Sequence, residues 1–136
     1  MSKPALAVGR LAAGGFKPIG CGELGASDAL SHSIELSADP GVYAFAIDGR
    51  VQYVGLASRS IKQRLNFYRK PGASQRTNVR LNGIIRGHLE SGETVEILVA
   101  HPPDQDWNGF KVSGAEGLEA GLIAEFELPW NMRGAL

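Results

Sequence analysis

Gly41-Val42-Tyr43-Ala44-Phe45-Ala46-Ile47-Asp48-Gly49-Arg50-Val51-Gln52-Tyr53-Val54-Gly55 is the stretch that decides how this chain folds. Two runs rich in Val, Ile, Tyr and Phe bracket Asp48-Gly49, a dipeptide that strongly signals a tight reversal between antiparallel strands. Asp39-Pro40 just ahead marks a turn, so the first strand starts at Gly41. Side chains alternate across a strand, and the loop length therefore fixes whether Tyr43 and Tyr53 share a face. A two-residue Asp48-Gly49 loop pairs Tyr43 with Val54 and puts the tyrosines on opposite faces. A three-residue Ile47-Asp48-Gly49 loop, with Gly49 in the left-handed conformation of a bulge, sets Tyr43 directly across from Tyr53, and this is the expected register.

Downstream of the hairpin, Ser60 precedes a run in which Ile61, Leu65 and Tyr68 recur at helical spacing, and Pro71-Gly72 ends it. From Thr77 to Leu89, Leu81, Ile84, Ile85, His88 and Leu89 form one stripe, which predicts a second, amphipathic helix. Glu93 to Ala100 alternates Val95, Ile97 and Val99 with other residues and reads as a third strand, followed by a polar loop from His101 to Val112. Ser113 with Glu116 makes a capping box, so a last helix begins there and runs to about Phe126, ahead of Pro129. The expected fold is α+β: a small three-stranded antiparallel sheet with flanking helices in the order β-β-α-α-β-α. Residues 1 to 38, rich in Gly, Ala and Ser, read as a partly packed extension, and 39 to 136 as the domain itself.

A chain of 136 residues with 43% hydrophobic content fills one core. Cys21 is the only cysteine, which excludes an intrachain disulfide and any zinc site built on several thiolates. His32, His88 and His101 lie far apart without metal-ligand spacing, and no role is assigned to them. Trp107 and Trp130 read as packing residues, with base stacking as the alternative for an exposed aromatic near a block of basic residues. Arg10 and Gly14-Gly15 break the N-terminal apolar stretch before a signal peptide's apolar segment is complete, and no run has transmembrane length. The expectation is a cytoplasmic protein with no membrane partner.

The formal net charge is zero, yet the charge is polarised. Arg50, Arg59, Lys62, Arg64, Arg69, Lys70, Arg76, Arg80 and Arg86 fall between Arg50 and Leu89, a window without one Asp or Glu. A block of this kind is the electrostatic footprint of a surface that meets a phosphate backbone. Arg59, Lys62, Arg69, Lys70, Arg76 and Arg80 are the candidate nucleic-acid contacts. Glu119 is the second anomaly: it falls among Ala115, Leu118, Leu122, Ile123 and Phe126 on the apolar stripe of the last helix. A carboxylate there costs several kcal/mol unless a cation or hydrogen bonds compensate it.

Gly41-Val42-Tyr43 and Tyr53-Val54-Gly55, then Arg64 and Tyr68 on one helix, Glu119 before Leu122-Ile123, and Pro129-Trp130-Asn131 together resemble the GIY-YIG nuclease signature. Valine stands for isoleucine in both triplets, and Leu128 occupies the position where many members carry the proline. The resemblance spans roughly residues 41 to 131. It implies the GIY-YIG fold and a metal-dependent DNA endonuclease that hydrolyses phosphodiesters with one divalent ion, Mg²⁺ or Mn²⁺. In that reading Glu119 holds the metal, Arg64 binds the scissile phosphate, Tyr43 is or assists the general base, and Tyr53, Tyr68 and Asn131 orient water, phosphate and loop. DNA is the implied partner, with a targeting protein or a second copy of the chain left open, as are repair, restriction and mobile-element roles. The competing expectation is a catalytically silent nucleic-acid-binding or protein-interaction module on the same fold.

Overall fold

The computed structural model describes residues 3–24, 30–32, 37–69 and 76–131, with side chains at 21–24, 30–32, 66–69 and 76–78 left outside the description. The elements in chain order are α1 (Val8–Ala13), β1 (Lys17–Leu24), β2 (Leu30–His32), β3 (Gly41–Ile47), β4 (Arg50–Ala57), α2 (Ile61–Arg69), α3 (Arg76–Glu90), β5 (Val95–Ala100), β6 (Gln105–Trp107), β7 (Phe110–Val112) and α4 (Gly114–Glu125). From β3 onward the expected order is present, with a β6–β7 hairpin added where the sequence reads as a polar loop. The sheet differs from the expected three strands: it has five, ordered β2-β1-β5-β3-β4 with antiparallel neighbours. Residues before 39 supply two of them, because β1 pairs with β5 across Lys17↔Val99 to Gly22↔Val95. They belong to the same sheet as the signature hairpin.

β3 lies between β5 and β4 and is buried along its whole length, as its continuous apolar run requires. One face of the sheet presents Tyr43, Phe45, Tyr53, Ile97 and Val99 to Ile61 and Leu65 of α2 and to Leu81 and Ile85 of α3. The other face presents Val42, Ala44, Val54 and Leu98 to Leu6, Leu11 and Phe16 and to Phe126 and Leu128, with Leu118 and Leu122 of α4 against them. Helices therefore cover both sides. Among the described residues no helix is long and apolar enough to cross a membrane.

The tyrosine register is a correction. The β3–β4 turn has two residues, with Ile47 paired to Arg50, and Asp48 and Gly49 take positive φ of 50° and 78°, the signs of a type I′ reversal. The register then shifts after Phe45, so that Ala46 pairs with Val51 and Phe45 with Tyr53 while Gln52 is the extra residue. Tyr43 consequently faces Gly55, and Tyr53 is its diagonal neighbour. The bulge restores the shared face that the two-residue turn alone would have removed. The two rings sit 6.0 Å apart between centroids.

Candidate active site

The site is assembled around the C-terminal end of β4. Tyr43 is fully buried, with its ring lying over Gly55, where an added Cβ would overlap the phenol and crowd Tyr53. Gly55 is thus the residue that lets the Tyr43 hydroxyl reach across β4 towards α2. There the Nε of Arg64 donates to the Tyr43 hydroxyl oxygen at 3.1 Å. Ser60 caps α2 by accepting from the backbone N–H of Gln63 at 3.0 Å, and the chain between β4 and α2 is the short Ser58-Arg59-Ser60 turn. Leu56, Ser58, Arg59, Ser60, Gln63 and Arg64 line an open depression of about 210 Å³ at this point.

Glu119 approaches the same strand end from the opposite face of the sheet. Ser113 caps α4 by accepting from the N–H of Glu116, and the next turn carries Glu119, half-buried, to β4 beside the backbone N–H of Leu56. Burial pushes its carboxyl above the usual glutamate range; the positive charge of Arg64 opposes the rise, Glu116 adds to it, and the Leu56 N–H opposes it. Arg64 and Glu119, from helices on opposite faces, are thus close enough to sense each other's charge at the sheet edge. Among the described residues no group of three or more His, Cys, Asp or Glu is arranged to hold a metal, and Glu119 is the carboxylate at this strand end. A single carboxylate suits a hard ion that keeps most of its waters, such as Mg²⁺ or Mn²⁺.

Asn131 is placed at the edge strand. Its Oδ1 accepts from Val54 N–H and its Nδ2 donates to Val54 C=O, each at 3.0 Å, and Trp130 N–H donates to Gln52 C=O at 2.8 Å. Residues 126 to 131 strap the open edge of β4. Phe126 and Leu128 pack on one face, whereas Trp130 packs on the other, against Phe45 and stacked with His88. Arg80 belongs to this strap, since its Nη2 donates to the Trp130 carbonyl at 2.9 Å and its Nε is buried. Of the basic candidates, Arg59 and Lys62 are exposed, Arg59 at the depression itself. Lys70 and the side chains of Tyr68, Arg69 and Arg76 lie outside the described residues. Sequence reasoning did not anticipate the Leu56 N–H or the steric demand at Gly55; the signal for the second was a glycine inside a strand, which marks a close approach of another group.

No family model and no curated protein matches the sequence. Solved structures do resemble it. A Glu-to-Ala mutant of bacteriophage T4 EndoII aligns with a TM-score of 0.74 at 20% identity, covering 93% of this chain and 100% of that one. The restriction endonuclease HPY188I in complex with product DNA aligns with a TM-score of 0.53 at 15% identity, covering 88% of this chain and 77% of that one. The shared property is the fold, an α+β architecture.

Proposed function

We propose that this chain is a GIY-YIG-type DNA endonuclease that hydrolyses phosphodiesters with one divalent ion. The observation that carries this reading is the meeting of Tyr43, Arg64 and Glu119 at one end of β4. The shared architecture with two endonucleases, one in complex with product DNA, supports it.

Hydrolysis joins a water oxygen to phosphorus and breaks one phosphorus–oxygen bond, so negative charge grows on the phosphoryl oxygens and on the leaving group. Arg64, at the rim of the depression, offsets that charge as the scissile phosphate settles beside it. Glu119 would hold the Mg²⁺ or Mn²⁺, which supplies further positive charge to the phosphate and the departing oxygen. The carboxyl is suited to a cation because desolvation has made its charged form costly, and a bound ion relieves that cost. Tyr43, once its own phenolic proton has passed to solvent, takes the proton of the attacking water, and the leaving oxygen acquires one from solvent. The Tyr43 hydroxyl has no exposed surface while Arg64 covers it, so the incoming phosphate must draw Arg64 outward before water reaches the phenolic oxygen. Tyr53 holds the Tyr43 ring in place from the same face. Arg59 and Lys62 meet flanking phosphates.

A plasmid-nicking assay with Mg²⁺ or Mn²⁺ tests the reading against Glu119→Gln. Metal-dependent nicking by the wild type, and its loss in the variant, is the expected result. Nicking that survives in Glu119→Gln would place the chemistry elsewhere, and salt-sensitive DNA binding without any nicking would make the chain the silent binding module.

A further inference from the structure

The β6–β7 hairpin has its polarity reversed. Asn108 and Gly109, with φ of 54° and 88°, form a type I′ turn, and the strands pair as Gln105↔Val112, Asp106↔Lys111 and Trp107↔Phe110. Directly opposed residues point to one face and successive residues to alternate faces, so Trp107, Phe110 and Val112 form one apolar face and Asp106 and Lys111 the other. All six strand residues are exposed, Trp107 by 66% and Phe110 by 70%. A ribbon of two three-residue strands is marginal by itself. Polar contacts hold this one: Lys111 pairs with Asp104 at 3.2 Å, Asp104 accepts from the N–H of Gly114, and Asp106 accepts from the N–H of Gly109. The charged groups are engaged in fixing the hairpin, while the aromatic pair is left facing water. A contiguous exposed apolar patch on a braced element marks an interaction site.

Its place in the fold indicates what it meets. β5 ends at Ala100, which pairs with Val42, and Val42 pairs in turn with Leu56, whose backbone N–H lies beside Glu119. The hairpin leaves the sheet from this end and leads straight into α4, on which Glu119 lies about 7.5 Å along the axis from Gly114. The hairpin is thus rooted two strands from Leu56, which lines the depression, and a nucleic acid is long enough to meet both.

We propose that Trp107 and Phe110 contact the bases of the DNA bound at the active site, setting their ring faces against a base or into a base step. This rests on the nuclease reading above and adds to it a contact that is not electrostatic. The hairpin is unsuited to phosphate, since Lys111 is already paired and Asp106 is acidic. Aromatic rings instead bind the π-face that every base presents, and apolar wedges enter base steps from the minor groove.

The two tryptophans make the test direct, because Trp130 is only 7% exposed and Trp107 is the accessible one. A labelled duplex is titrated into the protein in EDTA, following label anisotropy for binding and tryptophan emission with acrylamide quenching for Trp107. The expected result is quenched emission and loss of acrylamide access as DNA binds. The Trp107→Ala/Phe110→Ala double variant should bind about tenfold or more weakly, and Trp107→Phe should recover most of the loss. The salt slope should stay at the wild-type value, because no phosphate contact is removed. Unchanged emission and acrylamide access on bound DNA, with Glu119-dependent nicking intact, would overturn the hairpin contact and leave the nuclease reading standing. Absence of any DNA binding would sink both. A changed sedimentation mass in the double variant at unchanged DNA affinity would assign the face to a protein interface and overturn the proposal.

Discussion

Asn131→Ala separates a structural from a chemical role for the last residue of the signature. The side chain supplies both hydrogen bonds that a neighbouring strand would have made to Val54, a residue with no exposed surface. Each bond is worth about 1 kcal/mol net, rising to about 2 kcal/mol where the orphaned backbone group stays dry. Loss of both therefore costs about 2–4 kcal/mol. At an unfolding entropy of roughly 2.1 cal/mol/K per residue, a chain of 136 residues loses about 3.5 °C per kcal/mol. The melting temperature should fall by about 7–14 °C in calorimetry. Asn131→Asp should do no better: it keeps the acceptor for Val54 N–H but turns a carboxylate oxygen towards Val54 C=O. Nicking measured well below the lowered melting temperature should persist at a reduced level, because Glu119 and Arg64 are held by other contacts. A melting temperature within about 2 °C of wild type, together with abolished nicking, would refute the clamp and give Asn131 a direct part in the chemistry.

Glu119→Gln should lower nicking by about a hundredfold or more, on the order expected for a key charge-stabilising group. Because burial raises the Glu119 pKa, its contribution to stability is full below the ordinary glutamate value and lost as pH rises through the raised one. The Gln variant should thus melt at or slightly above wild type at neutral pH, with the difference vanishing in acid; lower stability at neutral pH would mean the carboxylate is compensated. Gly55→Ala should force Tyr43 aside and cost about 1–3 kcal/mol, read as a lower melting temperature with a disproportionate loss of nicking. Arg59→Ala should reduce the salt slope of DNA binding by about 0.9, whereas Arg80→Ala should leave the slope alone and lower the melting temperature.

The signature hairpin, the helices beginning near Ile61 and Thr77, the strand ending at Ala100 and the Ser113 cap were legible because each depends on local patterning that the structure keeps. What escaped depends on partners distant in sequence. Lys17-Pro18-Ile19-Gly20-Cys21-Gly22 has a proline and two glycines and little strand propensity; it is a strand because β5 offers it a ladder. The Gln52 bulge has no glycine to announce it and follows from the need to seat both tyrosines on one face. Asn108-Gly109 between Trp107 and Phe110 is a readable hairpin signal hidden by the polar residues around it, and Trp107, whose residue type suggests packing, is exposed. Charge was legible as a block but not its division: Arg59 and Lys62 are exposed, whereas Arg80 reaches into the strap.

That division points to the logic of the site. An edge strand carries a row of unpaired backbone groups that would otherwise recruit another strand. Along β4 that row is filled from both ends of the chain: Leu6 C=O accepts from Val51 N–H, Trp130 N–H donates to Gln52 C=O, the Asn131 amide meets both groups of Val54, and the Glu119 carboxylate lies beside Leu56 N–H. The first three close the edge with neutral partners, and the last sets an anion beside it. The backbone N–H beside the carboxylate favours its charged form without neutralising it, as a full ion pair to an arginine would, so Glu119 retains its demand for a cation. The same strand end brings Arg64 in from the other face through Tyr43 and Gly55. The residues that finish the sheet and the residues that meet a phosphate are neighbours along one strand, which is why damage to the strap at Asn131 should register in stability first and in catalysis second.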